Sequence, residues 1–312
     1  MSPPTVRKPC LKRAVLGAVT RLFHPRHAVQ FLRLLRKPKA LTRGVDDAQL
    51  KLYSELLPGG FMNYGHFDPP DVAPERLSLQ DIEDAQVRYG QLLIDQIRDR
   101  ERPVLDAGCG MGGLLRLLIA QGFSPTGLTP NRDQIAFLRS RYSQISLIES
   151  RFEAVPADQY AGRFGTVITS ESFQYMELQG ALEILWRILV PGGRWILCDY
   201  FRTGETKRRS GHREADFTAA ALSRGWRIVH RRDVTANALA AVGYVHMWGV
   251  RVGLPLLRFG LGKLHRKRPA LHYLFEDFFE DLSTYLRQEL EVVDPEIFRR
   301  EKAYLLYVLE RP

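Results

Sequence analysis

Acidic residues are missing from the whole leading stretch of the chain. None precedes Asp46, whereas eleven lysines and arginines lie between Arg7 and Arg43. The formal charge of +10 is therefore concentrated in this arm, and the remaining residues sum to −1. That distribution argues against a uniformly basic, nucleic-acid-binding body. Cysteine is scarce as well. Cys10, Cys109 and Cys198 are widely spaced and form no CxxC pair, which excludes a disulfide framework and the usual zinc or redox spacings. Long apolar runs are absent: none reaches the roughly 18 residues of a transmembrane helix. The nearest candidate, Leu239 to Leu264, is broken by His246, Arg251, Pro255 and Arg258. No clean apolar segment with a small-residue cleavage site follows the basic start, so no secretory signal is expected. These absences fit a cytoplasmic protein, either free or peripheral on a membrane. What is present suffices for a core: 45% of the 312 residues are hydrophobic, enough for one large core with additions or two modest ones.

Within the arm, residues 11–37 carry apolar positions at helical spacing (Leu11, Val15, Ala18, Leu22, then Phe31, Leu32, Leu35), interrupted at Pro25 and interleaved with basic residues. Such a stretch suits an amphipathic helix on an anionic membrane surface. It equally suits a solvated helix packed on the domain, and a transit peptide is a third reading, although serines are few.

From Val104 the pattern alternates short β-like runs with helical stretches, which predicts βαβ units and a parallel sheet. Strands are expected at 103–107, 124–128, 145–149, 164–169, 193–199, 226–231 and 303–309, with helices notably at 112–121, 131–142 and 178–189. Pro191-Gly192-Gly193 reads as a turn after the last of these helices. About 70 residues separate the last two strands, far beyond an ordinary connection, and they predict a helical insertion. It holds a glycine-containing apolar piece, a basic cluster at Lys263, Arg266, Lys267 and Arg268, and the acidic-aromatic run Glu276 to Asp281. The expected organisation is a basic helical arm at 1–45, a cofactor-binding core at 46–235, a substrate-binding insertion at 236–300 and a final core strand at 301–312.

The strongest local signal is Val104-Leu105-Asp106-Ala107-Gly108-Cys109-Gly110-Met111-Gly112-Gly113, an apolar strand entering a glycine-rich turn before a helix. Glycines serve where a ligand approaches the main chain closely or φ must be positive. Gly108, Gly110 and Gly113 also satisfy GxGxxG, so the glycines alone do not exclude a nicotinamide oxidoreductase. Two features disfavour it. Asp106, at the strand end, is placed to attract an ammonium-bearing ligand, and the ribose-binding acid expected about 20 residues onward for NAD is missing.

At these residues the chain resembles the class I S-adenosylmethionine-dependent methyltransferases, over roughly residues 60–235 and the last strand. Asp106-x-Gly108-x-Gly110-x-Gly112 looks like their first motif, which implies that Asp106, Gly108, Cys109, Gly110 and Gly112 hold the methionine end of S-adenosylmethionine. Gly127-Leu128-Thr129-Pro130-Asn131-Arg132-Asp133-Gln134 resembles the subgroup of cyclopropane-fatty-acid, tocopherol and sterol methyltransferases, in which hydroxyl and amide groups replace the ribose carboxylate. Thr129, Asn131 and Gln134 become ribose candidates on that likeness, and Phe152 and Glu153 adenine candidates. Glu171-Ser172-Phe173-Gln174-Tyr175-Met176 and Met62-Asn63-Tyr64-Gly65-His66-Phe67-Asp68 are similar to the subgroup's fourth-strand motif and to its closing segment. The resemblance implies an α/β fold: a doubly wound, Rossmann-like, seven-stranded methyltransferase sheet with the N-terminal helical arm and the helical insertion before its last strand.

Methyl transfer from a sulfonium is an in-line displacement, so the protein chiefly positions donor and acceptor and excludes water. A base is needed only where the acceptor must lose a proton. Tyr64, His66, Glu171 and Tyr200 are candidates near the expected cleft, with Glu171 and His66 favoured. Tyr64 is equally a cap over the cofactor and Glu171 equally a cofactor ligand, while His212 and His246 are read as outsiders. No metal site is expected. An apolar insertion beside a cleft, together with a basic arm, points to a small hydrophobic or lipid-like acceptor and an anionic membrane surface as partners. An RNA methyltransferase, a non-catalytic membrane adaptor on the same shell and a nicotinamide oxidoreductase are the rival readings; no RNA-binding module or N/D-P-P-Y/F motif supports the first.

Overall fold

A computed structural model describes residues 24–26, 29, 55–56, 58–142, 144–203, 211–269, 272 and 276–312. Contacts divide the chain into two units, Met1–Gly44 and Val45–Pro312. In the first unit Pro25, Arg26 and Val29 are helical and exposed; the rest of the amphipathic stretch expected at 11–37 lies outside the described residues.

The second unit is built on seven strands: β1 (Val104–Ala107), β2 (Pro125–Thr129), β3 (Ser146–Glu149), β4 (Phe164–Ser170), β5 (Leu189–Arg202), β6 (Arg227–Asp233) and β7 (Lys302–Glu310). Their order in the sheet is β3-β2-β1-β4-β5-β7-β6. The first five run parallel, and β7 inserts antiparallel between β5 and β6. All seven runs read from the sequence are present within a few residues. The largest departure is at Pro191-Gly192-Gly193. Phe164 pairs with Leu189 and Thr166 with Arg194, so these residues form an irregularity inside β5 rather than a turn before it.

Strand β7 shows how period-2 alternation divides the interior. Tyr304, Leu306 and Val308 join one hydrophobic layer, and Ala303, Leu305, Tyr307 and Leu309 join the other. The first layer is covered by helices α1 (Leu79–Ile94) and α2 (Gly113–Ala120), and the second by α4 (Leu178–Ile188) and α5 (Glu214–Ser223); α3 (Arg132–Arg141) packs through Leu138 on Leu115 and Cys109. Helix starts follow local chemistry. Ser78 and Asp81 form a reciprocal capping box on α1, and Asn131 caps α3 through its side chain.

Between β6 and β7 lie α6 (Thr235–Trp248), a wide i→i+5 turn at Gly249–Gly253, α7 (Leu254–Lys267), α8 (Glu276–Val292) and α9 (Pro295–Glu301). Ala238, Leu239 and Val242 of α6 and Phe298 of α9 belong to the layer over β7. Burial against the sheet layers stops at Gly243, and the following residues to 269 are half-buried or exposed. Among the described residues no helix is long and apolar enough to cross a membrane.

Candidate active site

Parallel strands direct their carboxyl ends to one edge of the sheet, and the turn after β1 is built there around glycine. Gly108, Gly110 and Gly112 have φ of 93°, 52° and 83°, a region L side chains enter only with strain. The amides of Gly108 and Cys109 both donate to the Leu128 carbonyl, at 2.8 and 3.1 Å, and tie the turn to β2. A Cβ on Gly108 would lie 2.3 Å from Cβ of Ser172, so the turn abuts the loop after β4, and Ser172 Oγ donates to the Ala107 carbonyl at 2.6 Å. At Gly110 only the Met62 sulfur, at 3.4 Å, borders the space a Cβ would fill.

Asp106, just before this turn, is 2% exposed, and its Oδ2 has no hydrogen-bond partner. Burial pushes its pKa up to about 7. A buried carboxylate without a partner is unfavourable by itself, and its position beside a turn whose three glycines carry no side chains fits a ligand that brings its own ammonium group. Cys109 contributes through its backbone, because its thiol packs with Leu115 and Leu138 and burial raises its pKa.

Thr129, Asn131 and Gln134 are brought together at the end of β2, all buried. Their side chains bind one another and the helix start: Thr129 Oγ1 donates to Gln134 Oε1 at 2.6 Å, and Asn131 Oδ1 accepts from the amides of Asp133 and Gln134. The hydroxyl-amide cluster is thus pre-assembled. Phe152 sits in a short 3₁₀ turn after β3, its ring 3% exposed within the layer that holds Leu128 and Leu182, instead of standing open as an adenine platform. Glu153 accepts the Glu177 amide at 2.8 Å and so joins this turn to the start of α4.

The second focus is Glu171, the only described non-glycine residue with positive φ, at 49°. Its Oε1 accepts from the Tyr64 amide at 3.0 Å and from the Tyr304 hydroxyl at 2.5 Å, and its own amide donates to the Cys198 carbonyl. Burial raises Glu171 to about 7 against the lowering effect of these donors and of Lys302. The Tyr64 ring meets Phe298 and Tyr304 edge-on, so the predicted closing segment does reach the predicted fourth-strand motif. Removing the tyrosine donor has a definite sign: in Tyr304→Phe the Glu171 midpoint is expected about one unit higher, read by ¹³C titration of its carboxyl. An unchanged midpoint would show that the hydrogen bond is not made in solution.

His66 is not drawn into this group. Its backbone is fixed by Ala85 and Arg88, and its ring, 8% exposed, is lowered in pKa by burial and then by Arg232. No hydrogen bond joins it to Glu171. Sequence reasoning also missed three groups at the same edge. Tyr304 comes from β7, opposite Tyr200 in register. Lys302 lies with Nζ 4.0 Å from the Tyr200 ring centre. Asp199, 1% exposed, accepts the amides of Gln174 and Tyr200 and is pushed by burial to about 8. Only the alternation Cys198-Asp199-Tyr200, a carboxylate amid a buried strand, carried a sequence signal for any of them. Among the described residues no cluster of three or more His, Cys, Asp or Glu side chains is arranged to hold a metal ion.

Residues 104–193 match the methyltransferase domain family. A malonyl-[acyl-carrier protein] O-methyltransferase from Enterobacter lignolyticus (strain SCF1) is 33% identical over 91 residues, which are 29% of this chain and 36% of that protein; the match thus spans little more than a third of the relative's length. Geranyl diphosphate C-methyltransferase from Streptomyces coelicolor A3(2) superposes with a TM-score of 0.62 at 15% identity, covering 86% of this chain and 94% of the other. A cyclopropane synthase from Mycobacterium tuberculosis superposes with a TM-score of 0.59 at 15% identity, covering 85% and 94%.

Proposed function

We propose that this chain, with its β3-β2-β1-β4-β5-β7-β6 sheet and its methyltransferase-domain match over residues 104–193, is a class I methyltransferase that transfers a methyl group from S-adenosylmethionine to a small lipophilic acceptor. The observation that carries the reading is the buried, unpartnered Asp106 carboxylate beneath a turn of left-handed glycines. When bound, S-adenosylmethionine supplies a sulfonium methyl group open to in-line displacement.

The residues divide by position. Asp106 takes the ammonium group, and the backbone of Gly108, Cys109, Gly110 and Gly112 lines the methionine end. Thr129, Asn131 and Gln134 border the ribose, and Glu153 with the backbone of Phe152 borders the adenine. Tyr64 closes over the site and holds Glu171 through its amide. Glu171 accepts the acceptor's proton where there is one to lose, since a carboxylate near 7 is poised for proton transfer at neutral pH. His66, neutral because burial disfavours its charge, anchors the closing segment and is the less direct acid/base candidate.

A lipophilic acceptor is supported by the likenesses to a geranyl diphosphate methyltransferase and a cyclopropane synthase. The acid-free arm at 1–45 supports approach to an anionic membrane surface, whereas the near-neutral remainder of the chain disfavours RNA. Calorimetric titration with S-adenosylhomocysteine and, separately, NAD tests the cofactor. Saturable binding of the first alone is expected, followed by methyl incorporation into prenyl, fatty-acyl or quinone acceptors and not into RNA, with Glu171→Gln lowering turnover most at pH above 7. Absence of S-adenosylhomocysteine binding would leave a non-catalytic adaptor in its place.

A further inference from the structure

No acidic residue occurs between Asp233 and Glu276, whereas Arg251, Arg258, Lys263, Arg266, Lys267 and Arg268 all fall there. This stretch builds α6, the wide turn and α7. Burial in it ends with Gly243: none of residues 244–269 is fully buried. Five of the fourteen exposed large hydrophobic residues follow at once, namely Val245, Trp248, Val250, Leu256 and Phe259. They include an exposed tryptophan and an exposed phenylalanine, with Leu256 at 62% and Phe259 at 59%. A helix serving only as a solvated lid would place polar side chains on this face.

Helical spacing orders the surface further. Leu256, Phe259, Lys263 and Lys267 recur on one face of α7, so an apolar half continues into a cationic half, and the Lys263 ammonium sits 4.5 Å from the Phe259 ring centre. Leu257, Leu261 and Leu264 recur on an adjoining face and are less exposed, and Leu261 shares a cleft with Phe279 and Ser283 of α8. Helix α8 is net acidic on its exposed positions, with Glu280, Asp281, Glu289 and Glu291 against Arg287, and Glu280 and Arg287 both line the cleft that Leu261 enters. Between β6 and β7 the α6–α7 stretch therefore carries positive charge with no acidic residue in it, while α8 mixes both signs.

We propose that the outer face of α6 and α7 docks on an anionic lipid bilayer, with Trp248, Leu256 and Phe259 entering the interfacial zone and Lys263, Arg266 and Lys267 meeting headgroup phosphates. Aromatic and leucine side chains beside a basic face suit that zone, and the lysines and arginines of that face are drawn to anionic headgroups. This surface is distinct from the basic arm and does not depend on methyl transfer.

The test uses the full chain with vesicles of phosphatidylcholine alone or mixed with phosphatidylglycerol, with and without brominated acyl chains. Binding to the mixed vesicles and quenching of tryptophan fluorescence are expected, the quenching lost in Trp248→Phe because Trp195 and Trp226 are buried and Trp186, on α4, is half-buried against a different hydrophobic layer. Since each basic residue near such a surface is worth about fivefold in partitioning, the triple reversal Lys263→Glu, Arg266→Glu, Lys267→Glu lowers binding by about 100-fold or more. Leu256→Ser with Phe259→Ser abolishes quenching. Unchanged melting and S-adenosylhomocysteine binding in these variants separate a lost surface from a lost fold or a lost cofactor site. Wild-type binding in both variants, or an unquenched Trp248, overturns the proposal and leaves the arm as the contact. Concentration-dependent dimerisation, or retention of RNA, that the same substitutions remove while no vesicle binding occurs overturns it as well.

Discussion

Asp106→Asn is expected to weaken S-adenosylhomocysteine binding by about 100-fold or more and, without ligand, to raise the melting temperature at pH 8 and by much less at pH 5. The binding loss follows from removing the charge that faces the ligand's ammonium group, a desolvated charge-assisted contact. The stability gain follows from linkage. An unfolded aspartate titrates near 3.9, whereas burial lifts the folded group to about 7. Between those values the folded chain holds a proton that the unfolded chain has released, so stability declines as pH rises through this window and is lowest above it. Asparagine removes the declining contribution, and Oδ2 has no donor to lose. With several kcal/mol at stake in principle and relaxation reducing it, a gain on the order of 5 °C at pH 8 is reasonable for a domain of this size. Glu171 and Asp199, raised to about 7 and about 8, impose the same slope, so the variant flattens the pH dependence without removing it. Calorimetry at the two pH values reads both effects. Undiminished ligand binding would move the ammonium site away from Asp106, and a lower melting temperature at pH 8 would mean that the carboxylate has a stabilising partner in solution.

The contrast between Asp106 and Tyr304 explains how much of the site was legible in the sequence. The strand, glycine turn and helix around Asp106 are one continuous piece of chain, and period-2 burial followed by glycine spacing is a local signal. Tyr304 reaches Glu171 across 133 residues, because β7 inserts between β5 and β6; its alternation announces a strand but not a neighbour. Phe152 shows an ambiguity of another kind. An aromatic residue after a strand reads equally as a ligand platform or as a core plug, and the 3₁₀ turn at 152–154 rotates it into the core. Thr129, Asn131 and Gln134 lie where expected, but their mutual hydrogen bonds could not be read from spacing alone, since cap and ligand use the same donors and acceptors. The irregularity at Pro191-Gly192-Gly193 likewise needs its partner β4: only pairing shows that the strand resumes after the glycines.

Gly108→Ala is expected to destabilise the protein by about 2–5 kcal/mol, the sum of left-handed strain at about 1–2 and of overpacking at about 1–3. The added methyl would meet Ser172 Cβ at 2.3 Å and Oγ at 2.8 Å, and neither loop can yield freely, because Ser172 Oγ is bonded to Ala107 and the Gly108 amide to Leu128. Gly192 supplies the comparison. It too has positive φ, 75°, but nothing lies within 4 Å of its virtual Cβ, so Gly192→Ala meets the conformational strain alone, partly offset by the reduced freedom of the unfolded chain. The difference between the two alanine variants in urea titrations therefore isolates the contact between the turn after β1 and the loop after β4. Adding Ser172→Gly to Gly108→Ala should recover about 1–3 kcal/mol as a coupling energy, less the lost hydrogen bond to Ala107. Equal costs for the two alanine variants, with no coupling to position 172, would mean that the two loops are not packed together. That packing matters for function because it joins the chain segment bearing Asp106 to the one bearing Glu171: a site that must hold donor and acceptor within a few tenths of an ångström needs the two anchored to each other.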